Sequence, residues 1–447
     1  MKIKPSIFHA YDVRGVYPEE VNEEAAYLIG LSLVEFLQKP GANIVVGRDN
    51  RISSDVLFES LARGIIDSGA NVVDIGLSTT PLLYFACGFY GYDGGINITA
   101  SHNPGQYNGF KFVGPGAVPI GENSGLLEIK EIALKNDFKE AKKGKISKKN
   151  ALSDYIKFNF KNFNFKSFKK LKITIDTANA VAGIIVPDLK KSLGAEINPL
   201  FLKLDGAFPN HNPDPLTEDN LKFLKEEILA KKSDLGVAFD GDGDRIFFID
   251  EKAQAVGGDL TSAFLAERIL KENPGEKIVY DIRCSNIVRE TILKNNGQPI
   301  LNRVGHSFIK ETMRRENALF GGEFAGHFYH RDHYFCEAPL FALFTILEAI
   351  VKEQKPFSEL ILPFRKYYTS GEINFETNNK EVIINSLEKE YQNGKMLKID
   401  GLRVDFDDWW FLVRPSQTEP KLRLSLEAKT KELLEEKKEE LTRIIKI

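Results

Sequence analysis

The sequence predicts an α/β protein with three similar βαβ-type domains, each built on a mixed, largely parallel sheet, followed by a C-terminal α+β domain. The chain has 447 residues, enough for about three domains of ordinary size. One strand–helix–strand pattern occurs three times along it, and the last stretch contains several strands and then one charged helix. These observations together predict the fold class.

The repeated pattern is a β-branched strand that ends in Asp, a helix-period stretch, and a Gly turn that starts another strand. The first strands of the three repeats are NIVVGRD, KITID and KIVYD, which end at Asp49, Asp176 and Asp281. A strand, helix and strand at such spacing form a βαβ unit, in which functional residues gather at the carboxyl ends of the strands.

Composition sets the expected domain boundaries. The stretch 135–150 is charged, lacks apolar periodicity and is typical of a surface connection. We therefore expect domains at 1–150, 151–250 and 251–367, and a fourth at 368–447. The fourth contains the strand-like runs GEINFE, LRVDF, WFLVRP and KLRLSLEAK before the helix-like TKELLEEKKEELTRII.

Charge and cysteine content exclude several classes of protein. The 60 basic and 63 acidic side chains leave a net charge of −3, whereas a nucleic-acid or acidic-membrane binder normally has a basic excess. The start of the chain has no apolar run typical of a signal peptide, and Glu348 interrupts the most apolar stretch. The 3 cysteines lie far apart, which favours a reducing compartment. We expect a cytoplasmic protein without nucleic-acid or membrane partners.

The segment KFNFKNFNFKSFKK (157–170) alternates Lys and Phe and has two interpretations. It is either a basic, aromatic patch for a membrane surface or nucleic acid, or the end of a helix whose phenylalanines fill a domain interface. The second is favoured because the chain has no basic excess elsewhere.

The first motif, TASHNP, follows the β-like run GGINI. Its small, turn-forming residues predict an exposed loop at a strand end that presents the Ser101 hydroxyl, with His102 beside it. A serine in such a loop is a candidate nucleophile, although no GxSxG surrounds it and an α/β-hydrolase is disfavoured. The alternative is that Ser101 and Asn103 only build a turn before Pro104.

The second motif, DGDGDR, lies between two strand-like runs. Asp240, Asp242 and Asp244 are separated by single glycines, whose backbone is flexible. Their carboxylates can therefore converge on one hard cation. An EF-hand is disfavoured because Arg245 stands where that loop needs Gly and because strands flank the motif. Three carboxylates this close repel one another without a cation, and the motif therefore predicts a Mg²⁺ site.

The third motif, GGEFAGHFYHRDH, predicts a glycine-rich loop that presents Glu323 and His327 to sugar hydroxyls. The spacing of His327, His330 and His333 also raises a zinc site, but no Cys or Glu completes the ligand spacing.

The fourth motif is RPSQTEPKLR. Arg414 with Ser416, Gln417 and Thr418 offers a guanidinium and several short donors, which suits a phosphate, or equally a plain capped turn.

Isolated cationic residues and shorter fragments complete the set. The fragments are YDVRG, GRDNRISS, NGFK, DGAFPNHNPDP and RVGHSFIK. Residues able to neutralise phosphate, each also compatible with an ordinary surface role, are Arg14, Lys111, Arg283, His306 and Lys310.

Taken together and in this order, the motifs resemble the α-D-phosphohexomutase family over essentially the whole chain. TASHNP is similar to the family's phosphoserine loop, DGDGDR to its metal loop, GEFAGH to its sugar-recognition loop and RPSQTEP to its phosphate-binding loop in the fourth domain. Within the family, GEFAGH, FHAYDVRG and DGAFPNHNPDP are most similar to phosphomannomutase/phosphoglucomutase enzymes.

The resemblance implies four domains around a central cleft and the interconversion of hexose 1- and 6-phosphates of mannose or glucose. Ser101 would carry the phosphoryl group, a hexose 1,6-bisphosphate would prime it, and Mg²⁺ would be held by Ser101 and the three aspartates. The other expected catalytic residues are His102, Lys111, Arg14, Arg245, His306 and His327. The expected substrate contacts are Glu323, Ala325, His327, Arg283, Lys310, Arg414, Ser416, Gln417, Thr418 and Arg423. Partners would be small sugar phosphates, and the chain would be a monomer or dimer.

Three residues depart from the subgroup's pattern. Ala325 stands where a Ser is usual and Gln417 where an Asn is usual, so one sugar contact and one phosphate contact differ. Arg283 stands where some members have a catalytic Lys. Two alternatives stay open: a phosphoglucosamine mutase, with the same chemistry on an amino sugar, and a non-catalytic sugar-phosphate-binding protein, which Ala325 and Gln417 motivate.

Overall fold

The computed structural model describes residues 3–161, 163–415 and 420–446. They form four domains, each with its own sheet, and the predicted α/β class is confirmed. No helix in these three ranges is both long enough and apolar enough to cross a membrane.

The first domain surrounds a six-stranded sheet in the order β1-β5-β4-β2-β3-β6. Its strands are β1 (Val13–Val16), β2 (Asn43–Arg48), β3 (Asn71–Leu77), β4 (Gly94–Ile98), β5 (Tyr107–Val113) and β6 (Ile146–Lys148), and its helices are α1 (Glu23–Leu37), α2 (Ser54–Asp67), α3 (Thr80–Tyr90) and α4 (Leu126–Lys135). Asn22 caps α1 by accepting a hydrogen bond from the Ala25 N–H at 3.0 Å. The short, exposed β6 lies inside the stretch expected to be a plain connection, where it extends the sheet edge.

The second domain has the order β11-β10-β9-β7-β8. Its elements are α5 (Leu152–Phe160), β7 (Lys172–Asp176), α6 (Val186–Ser192), β8 (Glu196–Leu200), α7 (Lys222–Lys231), β9 (Leu235–Phe239), β10 (Ile246–Asp250) and β11 (Ala255–Val256). Every residue of β9 and β10 is buried, as expected for continuous apolar runs in the middle of a covered sheet.

The third domain has the order β13-β12-β14-β15-β16. Its elements are α8 (Gly258–Glu272), β12 (Lys277–Asp281), α9 (Asn286–Lys294), β13 (Gln298–Asn302), α10 (His306–Glu316), β14 (Phe320–Gly322), β15 (Phe328–His330), β16 (Cys336–Glu337), α11 (Pro339–Glu353) and α12 (Phe357–Ile361).

The three sheets repeat one topology. The strands run β3-β2-β4-β5 in the first, β8-β7-β9-β10 in the second and β13-β12-β14-β15 in the third. In each, the first three strands are parallel and the fourth is antiparallel to its neighbour. The predicted repeats correspond to the parallel pairs β2–β3, β7–β8 and β12–β13, and the prediction is confirmed.

The fourth domain is an antiparallel sheet, β17-β21-β20-β19-β18, with two helices. Its elements are β17 (Tyr368–Glu376), α13 (Lys380–Glu390), β18 (Lys395–Leu397), β19 (Leu402–Asp405), β20 (Trp409–Pro415), β21 (Lys421–Ala428) and α14 (Lys431–Ile445). The four expected strands and the last helix are present, whereas α13 and β18 were not predicted.

The Lys/Phe segment 157–170 lies at a domain interface. The rings of Phe160, Phe163 and Phe165 have centroids 5.2, 5.3 and 5.2 Å from that of Phe344 in α11 of the third domain. The interpretation as an apolar interface is therefore confirmed.

The fourth domain is anchored on the third by a buried arginine. Arg403 Nη1 donates to the Ile282 carbonyl at 2.7 Å and Nη2 donates to Asn286 Oδ1 at 2.8 Å. Its guanidinium also lies 3.9 Å from the ring centre of Trp410. This contact fixes the edge of the fourth domain beside the loop that carries Arg283.

Candidate active site

Three of the motifs occupy the same position in the three repeated domains. Residues 99–106, which we call the serine loop, join β4 to β5, residues 240–245 join β9 to β10, and residues 323–327 join β14 to β15. Each loop follows the last parallel strand and precedes the antiparallel one. Since equivalent strand ends carry the three loops, one arrangement of domains brings all three to a common centre.

Ser101 lies at the meeting point of the first two loops. Its Oγ donates to Asp240 Oδ2 at 3.1 Å and lies 3.2 Å from His102 Nδ1. The Ser101 N–H donates to Thr99 Oγ1 at 2.9 Å. The expected exposed position is wrong, because Ser101 is only 3% exposed beneath the loop of the second domain.

The three aspartates converge as predicted. Ligand oxygens of Asp240, Asp242 and Asp244 lie within 4.8 Å of one another, and all three residues are buried. Gly243 has a φ of +68°, a conformation that side chains disfavour, so glycine there permits the tight turn that gathers them.

Cations balance part of this negative charge. Lys111 Nζ lies 2.7 Å from Asp242 Oδ2 and 2.6 Å from Asp244 Oδ2, and Thr80 Oγ1 donates to Asp242 Oδ2 at 2.6 Å. Burial and the charges of Asp244 and Asp242 raise the pKa of Asp240 well above its usual range. Burial opposes ionisation of Asp244 too, but Lys111 and His327 hold its pKa well below the usual range. The raised pKa of Asp240 indicates negative charge that the neighbouring cations do not fully neutralise, and a bound metal ion could neutralise it.

His327 connects the aspartates to the loop of the third domain. Its Nε2 lies 3.2 Å from Asp244 Oδ1 and its Nδ1 lies 3.5 Å from Glu323 Oε1. Burial lowers the pKa of His327, but the two carboxylates outweigh it and raise that pKa to about 9. Burial likewise disfavours the charged form of Glu323, yet hydrogen bonds from His327 and Tyr329 and the charge of Arg283 lower its pKa to about 2.

The histidines of the zinc alternative do not come together. His333 Nε2 lies 3.1 Å from Asn159 Oδ1, and the His330 ring centre lies 4.3 Å from that of Phe341, with the two rings tilted by 39°. Across the described ranges, the aspartates form the one group of three side chains spaced to hold a metal ion. The zinc alternative, which the sequence already disfavoured, is not supported by the positions of these histidines.

A cavity of about 890 Å³ opens onto these loops, with walls from all four domains. Predicted site residues in its wall are Arg14, Ser101, His102, Lys111, Arg245, Arg283, His306, Glu323, Ala325, His327, Arg414 and Arg423. The cavity is thus strongly cationic on several sides, and a phosphorylated ligand would match its charge.

Individual cations in the wall are held in place by hydrogen bonds. Arg14 Nη1 donates to Asn103 Oδ1 at 2.6 Å, so the strand β1 reaches the serine loop. Arg283 Nη2 donates to Asp281 Oδ2 at 2.9 Å and lies 3.6 Å from Glu323 Oε2. Arg414 Nε donates to Asp400 Oδ2 at 3.0 Å.

Two parts of the predicted site stand apart from this group. Ser416, Gln417 and Thr418 lie outside the described residues. Lys310 is 0% exposed, donates to Glu337 Oε1 at 2.9 Å and is absent from the cavity wall. Lys310 lies one turn after His306 on α10 and outside the cavity wall, and its contact with substrate stays a prediction.

The sequence interpretation missed several residues of the site. Tyr11, Arg303 and Asp400 line the cavity, and Arg51 is buried behind the serine loop. Tyr11, Arg51 and Arg303 belong to the fragments YDVRG, GRDNRISS and RVGHSFIK, whose unusual grouping of polar residues was the available signal. Asp400 had no such signal beyond an ordinary Asp-Gly turn.

Family models match nearly the whole chain. They are described as phosphoglucomutase/phosphomannomutase α/β/α domains I, II and III, matching residues 5–140, 153–257 and 257–367, and the C-terminal domain, matching 372–444.

Full-length relatives are similar at moderate identity. The chain is 38% identical over 453 residues to a phosphomannomutase of Vibrio cholerae, covering 98% of each protein. It is also 38% identical to a phosphomannomutase/phosphoglucomutase of Pseudomonas syringae pv. tomato, covering 96% of this chain and 93% of the relative. A solved phosphoglucomutase/phosphomannomutase family protein from Burkholderia thailandensis superposes with a TM-score of 0.91 at 31% identity, covering 100% of this chain and 98% of that one.

Proposed function

The chain belongs to the phosphoglucomutase/phosphomannomutase family, and on that premise we propose that it is a phosphohexomutase. It interconverts hexose 1-phosphate and hexose 6-phosphate, with mannose or glucose as the sugar. The observation that carries this proposal is the Ser101 hydroxyl, 3.1 Å from the carboxylate of Asp240 at the base of a cationic cavity. Sugar binding alone needs neither the serine nor the three aspartates.

The residues around Ser101 fit Mg²⁺, which prefers oxygen ligands. Asp242 Oδ1 is buried and has no hydrogen-bond partner among the described side chains and backbone, so one ligand atom is available without breaking a contact. We propose that Asp240, Asp242 and Asp244 hold the ion together with an oxygen of phosphorylated Ser101. The ion supplies positive charge to the phosphoryl group being transferred.

The reaction exchanges one phosphoryl group between Ser101 and the sugar. The bond from phosphorus to Ser101 Oγ breaks as a bond to the free sugar hydroxyl forms, which yields a hexose 1,6-bisphosphate. This bisphosphate turns over in the cavity and returns its other phosphoryl group to Ser101. Free hexose 1,6-bisphosphate also primes an unphosphorylated chain. Arg14, Lys111 and Arg245 line this end of the cavity and stabilise the negative charge of the group in transit.

Each transfer also requires that the attacking hydroxyl lose its proton. The groups that line the cavity and can exchange a proton there are His102, Lys111, His306 and His327. We propose that proton transfer runs through this set.

The far side of the cavity holds the part of the sugar phosphate that does not react. Glu323 accepts hydrogen bonds from the sugar hydroxyls, and its burial beside Arg283 keeps the carboxylate oriented. We propose that Arg414 and Arg423 bind the unreactive phosphate with Ser416, Gln417 and Thr418, and that Ala325 lies beside the sugar. A cytoplasmic location is proposed as well, supported by three buried cysteines without disulfides.

The test is an isomerisation assay with the 1-phosphates of glucose, mannose and glucosamine, with Mg²⁺ and a trace of glucose 1,6-bisphosphate. We expect turnover of the glucose or mannose substrate, or both. A preference for glucosamine 1-phosphate would assign the chain to phosphoglucosamine mutases instead. Binding of all three sugars without turnover would leave a non-catalytic binding protein.

A further inference from the structure

We infer that Arg51 is a positioning residue that fixes the serine loop in the conformation needed for phosphoryl transfer. This inference rests on the proposed function, because it concerns how Ser101 is presented to a substrate. Arg51 does not line the cavity and its side chain is 0% exposed, so it acts through the loop and not on the sugar.

The guanidinium of Arg51 binds four backbone carbonyls around the serine. Its Nη2 donates to the carbonyl of Ser101 at 2.8 Å and of Asn103 at 2.6 Å. Its Nη1 donates to the carbonyl of Pro104 at 2.7 Å and of Tyr107, the first residue of β5, at 3.1 Å. Charge-assisted hydrogen bonds of this kind are among the strongest in proteins, so one side chain sets the path of the whole loop.

The serine loop needs such support because its backbone is strained. Ser101 has a φ of +52°, in the left-handed region that residues other than glycine disfavour. Strained backbone at a functional site persists only where its surroundings overdetermine it. The arginine supplies hydrogen-bond donors to four carbonyls around the serine in this conformation.

Arg51 is itself fixed to the sheet of the first domain. Its Nε donates to Asp49 Oδ2 at 3.0 Å, and Asp49 Oδ1 accepts from the Arg51 N–H at 3.0 Å and from Ser54 Oγ at 2.6 Å. Asp49 directly follows β2, the central strand of the repeat. The position of the serine loop is thereby tied to a rigid element.

The second domain seals Arg51 from water. The Phe208 ring centre lies 5.1 Å from Arg51 Cζ. A Cβ on Gly206 would lie 2.4 Å from the Asn50 carbonyl, so the segment 205–215 packs directly on the backbone beside Arg51. The fragment DGAFPNHNPDP, to which the sequence assigned no role, therefore covers the support of the serine loop.

The test compares Arg51→Lys with Arg48→Lys, a matched control three residues earlier, at the end of β2. Arg48 pairs with Asp55 and Asp74 and touches no carbonyl of the serine loop. Lysine keeps the charge at position 51 but has one nitrogen, which cannot reach all four carbonyls. We expect kcat of Arg51→Lys to fall about 100-fold with KM changed less than about threefold. The control should keep both constants near the wild-type values.

Amide hydrogen exchange gives a readout that does not depend on turnover. In Arg51→Lys, exchange in a peptide covering 99–107 should be about tenfold faster, with the rest of the chain unchanged. Unchanged exchange in that peptide, or kcat and KM altered together, would overturn the inference. An inactive wild type with the predicted exchange difference would instead refute only the proposed function.

Phe208→Leu keeps the inference testable if Arg51→Lys does not fold. It removes the aromatic cover but no hydrogen bond to the loop. We expect kcat to fall about three- to tenfold at unchanged KM, with faster exchange confined to 99–107. Wild-type kinetics and wild-type exchange in Phe208→Leu would contradict the inference.

Discussion

The α-carbon of Gly241 packs against the backbone carbonyl of Ser101 so closely that a Cβ at position 241 would lie 2.1 Å from the carbonyl oxygen. The metal loop and the serine loop come from different domains, and they meet through backbone at this point. The separation between Ser101 and the aspartates therefore depends on the absence of a side chain at position 241.

Gly241→Ala should separate the two loops. The new Cβ would meet backbone, which cannot move aside as a flexible side chain can, so the two loops must shift apart. Displacement of reacting groups by about 1 Å can reduce the rate by about 100-fold, and we expect kcat to fall by about 100-fold or more. The measurement is kcat beside the melting temperature. Gly114→Ala is the control, since Gly114 has a φ of −90° and its Cβ would meet no atom closer than 3.9 Å. Equal activity in the two variants would show that the close contact has no role in catalysis.

Asp242→Asn should weaken binding of Mg²⁺. The change removes one ligand charge from the cluster while the shape of the side chain stays similar. We expect the dissociation constant, measured by calorimetry, to rise by about tenfold or more, and we expect excess chelator to stop turnover of the wild type until Mg²⁺ is restored. The exposed Asp219 of the same domain provides the control Asp219→Asn. Full activity in excess chelator would mean that the aspartates serve another purpose.

Ala325→Ser should have a small effect. Ala325 is buried in the cavity wall, and the serine would add one hydrogen bond to the sugar, which typically contributes about 0.5–1.5 kcal/mol. We therefore expect kcat/KM for glucose 1-phosphate and mannose 1-phosphate to rise by no more than roughly tenfold. A wild type inert with both sugars and an active serine variant would make position 325 a gate instead of a minor contact.

The His211–Asp176 pair should make stability depend on pH. Partial burial lowers the pKa of His211, but the Asp176 carboxylate, 3.0 Å from its Nε2, outweighs burial and raises that pKa above its usual value. A raised pKa in the folded state stabilises the protein at pH values below the unfolded pKa, and this contribution is lost as the pH rises through the folded pKa. Relative to His211→Gln, the free energy of unfolding of the wild type should thus decline as the pH rises from the usual histidine pKa of about 6.5 through the raised pKa of the folded state. A flat difference across that range would contradict the assignment.

The sequence predicted the repeated domains because their strands and helices are local patterns. It did not reveal that the serine, metal and sugar loops occupy the same position in the three domains. Each loop follows the third parallel strand of its sheet, and the repeat recognised in the sequence ends before that strand. The long-range pairing of β1 with β5, which brings Arg14 to Asn103, has no local signal either.

The candidate site was predicted best where the chemistry lies within one short motif. Asp240, Asp242 and Asp244 fall in one loop, so their convergence follows from spacing alone. The burial of Lys310 could not be predicted, because its partner Glu337 is distant in sequence and a lysine without a visible partner suggests an exposed side chain. Arg51 lies in a fragment that the sequence analysis singled out, but no role could be assigned to it. Its hydrogen-bond acceptors are backbone carbonyls, which every residue type has, so the sequence does not reveal them.

The most direct test of Ser101 as the phosphoryl carrier is phosphoryl transfer from labelled glucose 1,6-bisphosphate to the protein, located by peptide mass spectrometry, in wild type and Ser101→Ala. We expect that the wild type carries the label on Ser101 and passes it to added hexose monophosphate, whereas Ser101→Ala folds, takes up no label and has no mutase activity. Label on another residue, or more than trace turnover in Ser101→Ala, would contradict this expectation.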